Sequence, residues 1–443
     1  MKYLIFSLIL ITFVHCGIFV KNTDISQITF PLIVEKEIKI EGKIIDELKE
    51  YSDRIYFATQ EGFLYCFDPV EKRIIWKFNA EEETLTVPFI GKEYIYFVTK
   101  NSLFCINRNT GKLKWKEKLS ATQNIYFSEV NGYFYMAFDK KIQFRRSENG
   151  EVLKEYKIKS QVNSQIIIWE NGLIFLSRDG KIYFIERNGN IKHLIKKIPE
   201  VITSNLFRDE EYLYFGSNNY FYCYNLRKRK LKWKIRTGGS IIGFPVVDEK
   251  RIYFICSNNV IFCMNKRGGD ILWWKSIPSR VPFQLSYGKN LLLVSTLENE
   301  LLAFDKRDGK EIGKFKILKK VLNTNPLPEI SEIFIGVFDP QTEHSKLFIL
   351  KKKIAVKLIA DKSSPQKIGE EIVFKANAVG LNKPKFEFYI KSEEMNSFVV
   401  VQELSFNNVF SWFPEKEGNY IIKVIAKDKE NKVENSINFS IKK

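Results

Sequence analysis

The sequence predicts an all-β protein in which eight units of short strands repeat along the chain and a smaller β-sandwich follows them. Three observations lead to this prediction. A short apolar run returns every 39 to 42 residues through most of the 443-residue chain. Turn residues interrupt the chain every few positions, as they do between strands of about four to eight residues. After Ala360 the repeat stops, and strands of a different style begin.

The recurring apolar run sets the length of the repeat. It reads IYFAT at Tyr56 and returns at Tyr96, Tyr135, Ile174, Tyr214, Tyr253, Leu292 and Phe334. Each run is followed by a polar turn, a strand such as FLYCFD, a turn rich in Asn, Asp or Gly, and a strand that often ends in Trp. The chain then returns through a stretch such as TVPFIGKE. Four short strands in about 40 residues are typical of a propeller blade, and near-constant spacing indicates a repeat architecture.

A ring of such blades must close on itself. A lone blade leaves both faces bare, but in a ring each blade covers its neighbour and only short edges remain. The eighth unit, IFIGVFDPQTEHSKLFILKKK, shows no fourth strand of its own, and the alternating stretch IVEKEIKIEG (33–42) has no other place. We therefore predict an eight-bladed β-propeller over residues 33–358 that is closed by this N-terminal strand.

The repeat resembles that of a known family. The stretch IYFATQEGFLYCFDPVEKRIIWKF combines an apolar strand, a turn ending in Gly, a strand of the Leu-Tyr-Ala-Leu-Asp type and a closing Trp. This order of strands and turns is similar to the repeat of pyrroloquinoline-quinone-type (PQQ-like) β-propellers. Units one, two, five, six and seven match best, and units three, four and eight are degenerate. The WD and kelch signatures of other propellers are absent.

Four cysteines stand at one register of the repeat, where the PQQ-like family usually has a small Ala. Cys66, Cys105, Cys223 and Cys263 each follow the tyrosine of their unit's apolar run by nine or ten residues. Equivalent positions in different blades lie too far apart for a disulfide, which needs a Cα separation of about 4.4–6.8 Å. We predict four buried free thiols that pack as small hydrophobes. Pairing of Cys256 with Cys263 is the alternative, and strand parity does not favour it.

The tryptophans recur as regularly as the cysteines. Trp76, Trp115, Trp233 and Trp273 follow the tyrosine of their unit's apolar run by 19 or 20 residues. Constant spacing favours structural wedges between neighbouring blades, each burying about 150–250 Å². A ligand platform is the alternative interpretation of these four rings.

Positive charge concentrates at another fixed register. The formal net charge is +18, and the turn between the second and third visible strands carries Lys or Arg in most units. The candidates for this basic crown are Arg108, Arg146, Arg227, Lys228, Arg229, Lys266, Arg267 and Arg307. Because these turns project from one face of a propeller, we expect the crown to attract an anionic protein partner or envelope surface. The alternative is that exposed turns simply favour Lys and Arg. A nucleic-acid partner is not expected, because Lys and Arg spread through every unit of an exported chain.

The N-terminus predicts export. Lys2 precedes an apolar core over residues 3–14 that is too short to span a bilayer comfortably. Cys16 follows at once and resembles the lipidation site of bacterial lipoproteins. We predict a signal peptide over residues 1–16, with Cys16 as a candidate lipid anchor in the periplasm or at the outer membrane. The alternative is plain cleavage near Gly17, without an anchor.

The last part of the chain predicts a second domain over residues 366–443. Its stretch WFPEKEGNYIIKVIAKD resembles the late strands of immunoglobulin-like or PKD-like β-sandwiches, in which Trp412 would fill the core and Tyr420 would start the next strand. No Cys pair of the antibody type is present in it. The polar segment DKSSPQKIGEE (361–371) is either a short linker or a strand crossing.

These features favour one class of function over two others. The functional resemblance is to the propeller lipoproteins of outer-membrane β-barrel assembly (BamB-like), which implies a non-enzymatic envelope scaffold that binds proteins through its loops. We therefore predict no catalytic residue, cofactor or metal. One alternative is a quinone- or metal-dependent dehydrogenase, although the sequence shows no adjacent cysteines, long insertions or clustered carboxylates for it. Another is a glycan-binding envelope protein, which only scattered aromatic residues support.

Overall fold

The computed structural model describes residue 28 and residues 30–443, apart from residues 46, 120–123, 171, 196–199, 203, 289, 319–320, 323, 325 and 330. The predicted signal peptide and Cys16 lie outside the described residues. Within them the chain forms 41 strands and no helix, so none of these residues forms a helix able to cross a membrane. The chain divides into two compact units, one of residues 28 and 34–350 and one of residues 30–33 and 351–443.

Strand β1 (Leu32–Ile40) precedes seven antiparallel sheets of four consecutive strands, each of which is one blade. Blade 1 holds β2 (Lys49–Glu50), β3 (Ile55–Ala58), β4 (Phe63–Asp68) and β5 (Arg73–Asn79); blade 2 holds β6 (Phe89–Ile90), β7 (Tyr94–Val98), β8 (Ser102–Asn107) and β9 (Leu113–Lys118). Blade 3 holds β10 (Tyr126–Val130), β11 (Tyr133–Phe138), β12 (Lys141–Arg146) and β13 (Val152–Lys157); blade 4 holds β14 (Ile167–Trp169), β15 (Gly172–Leu176), β16 (Ile182–Ile185) and β17 (Ile191–His193). Blade 5 holds β18 (Phe207–Asp209), β19 (Tyr212–Gly216), β20 (Tyr220–Asn225) and β21 (Lys230–Arg236); blade 6 holds β22 (Val246–Val247), β23 (Arg251–Ile255), β24 (Val260–Asn265) and β25 (Ile271–Ser276); blade 7 holds β26 (Ser286–Tyr287), β27 (Leu291–Ser295), β28 (Glu300–Asp305) and β29 (Glu311–Lys316).

The eighth blade combines the two ends of the propeller. It holds β30 (Val321–Leu322), β31 (Leu327–Glu329), β32 (Glu332–Asp339) and β33 (His344–Lys352), with β1 on the outer side of β33. The backbone N–H of Ser345 donates to Gly42 O at 2.9 Å, and that of Lys353 donates to Pro31 O at 2.8 Å. These two hydrogen bonds show that β1 runs antiparallel to β33. The prediction of an eight-bladed propeller closed by the N-terminal strand is confirmed.

The middle strands of each blade are covered on both sides by neighbouring blades. In blade 1, all four residues of β3 are buried, but every residue of β5 is exposed or half-buried. Tyr56 and Cys66 of blade 1 share one apolar cluster with Phe97 and Phe104 of blade 2. A strand buried on both faces needs a continuous apolar run and not an alternating one. This burial explains why the repeat is visible in the sequence as IYFAT-like runs.

The second unit is a sandwich of two sheets. One sheet holds β34 (Ala355–Ala360), β36 (Ile372–Val379) and β39 (Val409–Trp412); the other holds β35 (Gln366–Lys367), β37 (Lys385–Ser392), β38 (Val399–Ser405), β40 (Gly418–Lys427) and β41 (Lys432–Lys442). Both sheets contribute to one buried core, as Phe374 from the first and Phe388 and Val424 from the second show. The ring of Trp412 lies 4.8 Å from that of Tyr420.

The boundary between the units differs from the predicted one. The predicted propeller extends to residue 358, but β34 pairs with β36 along its whole length, and its Val356 and Leu358 are buried in the sandwich core. The first unit therefore ends at Leu350. Segment 361–371 leaves the first sheet after β34, adds β35 to the second sheet beside β41, and returns to the first sheet at β36. Strand crossing, not a linker, is thus the correct one of the two interpretations. The immunoglobulin-like assignment stays a prediction.

Candidate interaction face of the propeller

Four blades contain the same row of side chains across their three outer strands. The rows are Tyr56–Cys66–Trp76, Tyr96–Cys105–Trp115, Tyr214–Cys223–Trp233 and Tyr253–Cys263–Trp273, each residue being paired in register with the next. Within each row the Tyr and Trp ring centroids lie 5.9 to 6.3 Å apart. Because the Tyr and Trp rings of a row lie so close together, little room is left for the residue between them, and a small cysteine fits there.

The cysteines are packing residues and not reactive groups. The five cysteines in the described part of the chain, including Cys256, are buried and free, which confirms the predicted free thiols. Burial raises the pKa of Cys223, Cys256 and Cys263 to about 12. A thiol with such a pKa is not ionised at neutral pH and is a poor nucleophile.

Each tryptophan of these rows reaches the next blade. The indole Nε1–H donates to a backbone carbonyl in the turn between the third and fourth strands of the following blade. The acceptors are Arg108 O for Trp76 at 3.2 Å, Ser147 O for Trp115 at 2.9 Å, Lys266 O for Trp233 at 3.4 Å and Lys306 O for Trp273 at 3.3 Å. A glycine of the same turn, in the left-handed region, faces the indole; these glycines are Gly111, Gly150, Gly269 and Gly309. The contacts support the predicted role of the tryptophans as structural wedges.

The predicted basic crown divides into two sets of side chains. Members of the first set turn back toward the junction between blades. Arg108 donates from Nε to Lys92 O at 2.9 Å, and its guanidinium lies 4.5 Å from the ring centroid of Tyr51 in blade 1. Lys266 forms an ion pair at 2.8 Å with Asp209 of blade 5, whose carboxylate is buried. These cations bind groups of the neighbouring blade, so they contribute little charge to the solvent-facing surface.

The second set faces solvent and lies on blades 5, 6 and 7. It consists of Arg227, Lys228, Arg229, Arg267 and Arg307, all of which are exposed. We call these five residues the basic arc. Equivalent turn positions of blades 2 and 3 hold Asn109 and Glu148. Arg146 of blade 3 is half-buried and pairs with Glu151 at 3.2 Å.

Acidic residues lie on the same face, and those of blade 5 were not predicted. The turn between the first and second strands of a blade projects from the same side as the turn between the third and fourth, because antiparallel strands alternate in direction. In blade 5 this turn carries Asp209 and Glu211, and Glu211 lies 3.5 Å from Arg227. In blade 7, Asp305 binds Arg307 at 2.6 Å. The signal for the blade 5 acids was the run DEE directly before the apolar run at Tyr212.

No cluster of metal-ligating side chains marks another site in the described residues. No group of three or more His, Cys, Asp or Glu side chains there is placed to hold a metal ion. An open cavity of about 320 Å³ on the propeller is lined by Lys43, Gln60, Glu61, Glu83, Phe338 and Glu343. An open cavity of about 580 Å³ on the sandwich is lined by residues that include Pro384, Phe386 and Phe406.

Eight antiparallel sheets in chain order, locked by Trp contacts to the turns of the next blade and closed by the N-terminal strand, define a β-propeller of the PQQ-like class. Residues 51–235 and 234–315 match the family described as outer membrane protein assembly factor BamB. This match extends over more than half of the chain, and the chain belongs to that family.

Two solved structures show the same fold. The crystal structure of BamB from Moraxella catarrhalis is similar with a TM-score of 0.56 and 12% identity, covering 72% of this chain and 99% of that one. The computationally designed protein Ika8 is similar with a TM-score of 0.57 and 12% identity, covering 70% of this chain and 98% of that one. At such identity the likeness shows the fold alone. The search of curated proteins gave no match.

Proposed function

We propose that this protein is an exported, non-enzymatic scaffold of the bacterial cell envelope that binds protein partners through its propeller turns during outer-membrane protein assembly. The basic arc carries this proposal, because it is a group of exposed cations presented by neighbouring blades on one face. The family match supplies the context of outer-membrane assembly.

Two of the three turns that form the arc are fixed by contacts with the preceding blade. The turn of Arg267 is fixed by the Trp233 contacts to Lys266 O and Gly269, and the turn of Arg307 is fixed by the equivalent contacts of Trp273. Turns fixed in this way lose little conformational entropy when a partner binds, and this pre-organisation favours affinity. A docking platform needs this combination of rigid turns and exposed side chains.

The charge of the arc defines the chemistry of the partner. Cations on one face attract an acidic protein surface and raise the rate of encounter at low ionic strength. The formal net charge of +18 adds to this attraction. We infer that the partner presents carboxylates to blades 5–7, and that its binding weakens as salt concentration rises.

The second unit and the N-terminus complete the proposal. Tyr420, near the start of β40, donates its hydroxyl proton to Lys416 O at 2.9 Å. A tyrosine that bonds back to the upstream backbone at this place is typical of immunoglobulin-like sandwiches, so we assign the unit to that class as a spacer or docking module. Cys16 would anchor the protein by lipid at the outer membrane.

Crosslinking and pull-down from envelope membranes test the scaffold function. One variant replaces Arg227, Arg229 and Arg267 by Glu, and a control variant makes the same change of charge in the second unit at Lys416, Lys429 and Lys432. We expect the first variant to lose the crosslinked partner and the control to retain it. Equal recovery with both variants would refute binding through the arc. A thermal shift or dye-linked oxidation on adding the quinone with Ca²⁺ would favour the dehydrogenase instead.

Fractionation of a Cys16→Ala variant tests the lipid anchor separately. We expect this variant to leave the membrane fraction while its propeller stays folded. Unchanged fractionation would count against lipidation, without bearing on the arc.

A further inference from the structure

The outer strand of blade 6 departs from a register that other blades share. In blades 1, 2, 5 and 7 the residue after the wedge position is a lysine paired across the strands with an apolar or aromatic residue; these pairs are Lys77 with Tyr65, Lys116 with Phe104, Lys234 with Tyr222 and Lys314 with Leu302. In blade 6 the same position, paired with Phe262, is Trp274. Its side chain is 64% exposed.

Lysine at this register protects an exposed edge. The ammonium group of Lys77 lies 3.9 Å from the ring centroid of Phe63, and that of Lys116 lies 4.6 Å from that of Phe104. Such lysines cover apolar surface with their stems and keep a charge at the edge strand, which discourages pairing with another chain. Trp274 provides neither the charge nor the cover.

The rest of β25 reinforces this difference. Ile271 and Leu272 are 45% and 48% exposed, and Lys275 is the one charged residue of the strand ILWWKS. Among the described strands, β25 pairs with β24 alone. Its other side therefore presents backbone N–H and C=O groups next to exposed apolar side chains. An edge of this kind is a template for the addition of another strand.

The exposed Trp274 of β25 faces blade 5. Trp274 is paired with Phe262, and Phe262 belongs to the cluster between blades 5 and 6 together with Phe221. Trp273, next in the strand, points the other way and reaches Lys306 O of blade 7. Because paired residues share a face of the sheet, Trp274 lies on the blade 5 side.

Blade 5 supplies positive charge on that side. Lys230 of its outer strand is paired with Asn225, on the same face as Cys223, and the ammonium group of Lys232 lies 4.0 Å from the ring centroid of Tyr212, which packs against the cluster between blades 5 and 6. The ring of Trp233 in this strand contacts Gly269, directly before β25. The groove between the two outer strands thus combines an apolar edge with a basic one.

From this combination we propose that β25 accepts an extended acidic segment of a partner protein as a fifth strand of blade 6, with Leu272 and Trp274 as its apolar anchors. A second copy of this chain is a poor occupant, because two chains of net charge +18 repel each other. A membrane surface would engage the tryptophan and the cations but leave the strand-edge hydrogen bonds unmade. The site is the edge of the outer strand of blade 6; it lies next to the turn of Arg267 but uses the strand edge and not the side chains of the basic arc.

Binding of designed peptides to the full-length protein tests the proposal. The probe is a fluorescein-labelled ten-residue peptide in which Glu alternates with Val, and fluorescence anisotropy reports its binding. Its counterparts are the same peptide with Lys in place of Glu and one N-methylated at alternate amides. Vesicles of phosphatidylglycerol form a separate arm. The test variant combines Leu272→Lys with Trp274→Lys, and the control variant is Leu113→Lys, an equally exposed rim position of blade 2.

We expect the acidic peptide to bind the wild-type protein and the Leu113→Lys control alike, and to bind the double variant about tenfold or more weakly. The lysine peptide and the N-methylated peptide should not bind. Amide hydrogen exchange of Ile271–Ser276 should slow when the acidic peptide is bound. Failure of the acidic peptide to bind, equal affinity for the double variant, or equal binding of the N-methylated peptide would each overturn the proposal. So would vesicle binding that depends on Trp274 without peptide binding.

Discussion

Replacement of the glycines that face the wedge tryptophans gives a graded test of the contacts between blades. Gly111 has a φ of +69°, and a Cβ added there would lie 2.6 Å from Cδ2 of Trp76. Gly132 has a φ of +79°, and a Cβ added there would meet nothing within 4 Å. Gly111→Ala therefore carries both backbone strain and a clash, but Gly132→Ala carries backbone strain alone.

The expected magnitudes follow from these two contributions. A non-glycine residue in the left-handed region costs about 1–2 kcal/mol, and a group forced into a packed contact costs about 1–3 kcal/mol. Gly111→Ala should thus lower the free energy of unfolding by about 2–5 kcal/mol, and Gly132→Ala by about 1–2 kcal/mol. Gly150→Ala should fall between them, because its nearest contact with Trp115 is 3.3 Å.

Urea unfolding followed by tryptophan fluorescence measures these differences. A Trp76→Ala background supplies the control, because removing the indole should bring the effect of Gly111→Ala down to that of Gly132→Ala. The reasoning is refuted if the two glycine variants lose equal stability in the otherwise wild-type protein, or if the Trp76→Ala background leaves their difference unchanged.

Three further predictions follow from the fold. Burial alone would raise the pKa of Glu82, but hydrogen bonds from Thr99, Lys116 and Ser102 lower it to about 2. Glu82→Gln should therefore cost about 1–3 kcal/mol at pH 7. Because the folded pKa lies below the unfolded value of about 4.3, this difference should shrink as the pH falls from about 5 to about 1, and a difference at pH 1 as large as that at pH 7 in urea titrations would contradict it. Cys66, Cys105, Cys223, Cys256 and Cys263 should not react with Ellman's reagent in the native state but should all react in urea; rapid native labelling of any of them would be inconsistent with the packing. Ile40 is 1% exposed in the cluster that joins blades 8 and 1. Ile40→Asp should therefore lower the free energy of unfolding by about 3 kcal/mol and speed hydrogen exchange in those two blades but not in blade 4. Equal acceleration in all blades would argue against a local contact.

The sequence was sufficient for the propeller because each blade repeats the same local rules. The double burial of strands such as β3 and β7 produces the apolar runs that set the period. The closure could be predicted because the last unit lacked a fourth strand and the stretch that forms Leu32–Ile40 had no other place. The boundary was less accurate, because Ala355–Ala360 has the same apolar alternation whichever sheet it joins.

The interaction face was only partly predictable. The register of Lys and Arg in the turns was visible, but the direction of each side chain depends on partners far away in sequence. Lys266 turns inward because Asp209, 57 residues earlier, lies buried beside it. Trp274 stands next to a wedge tryptophan in the sequence, so its exposure becomes visible only when β25 is seen as an end strand.

The closure of blade 8 has a mechanical consequence. Pro31 and Lys353, where the chain enters and leaves this blade, are hydrogen-bonded neighbours, and Gly42 and Ser345 stand at the other end of the same strand pair. A force that pulls Pro31 away from Lys353 therefore acts at one end of an antiparallel pair and breaks its bonds in succession. Because such a force acts on β1 and β33 alone, this strand pair separates before any of the other seven blades is stretched.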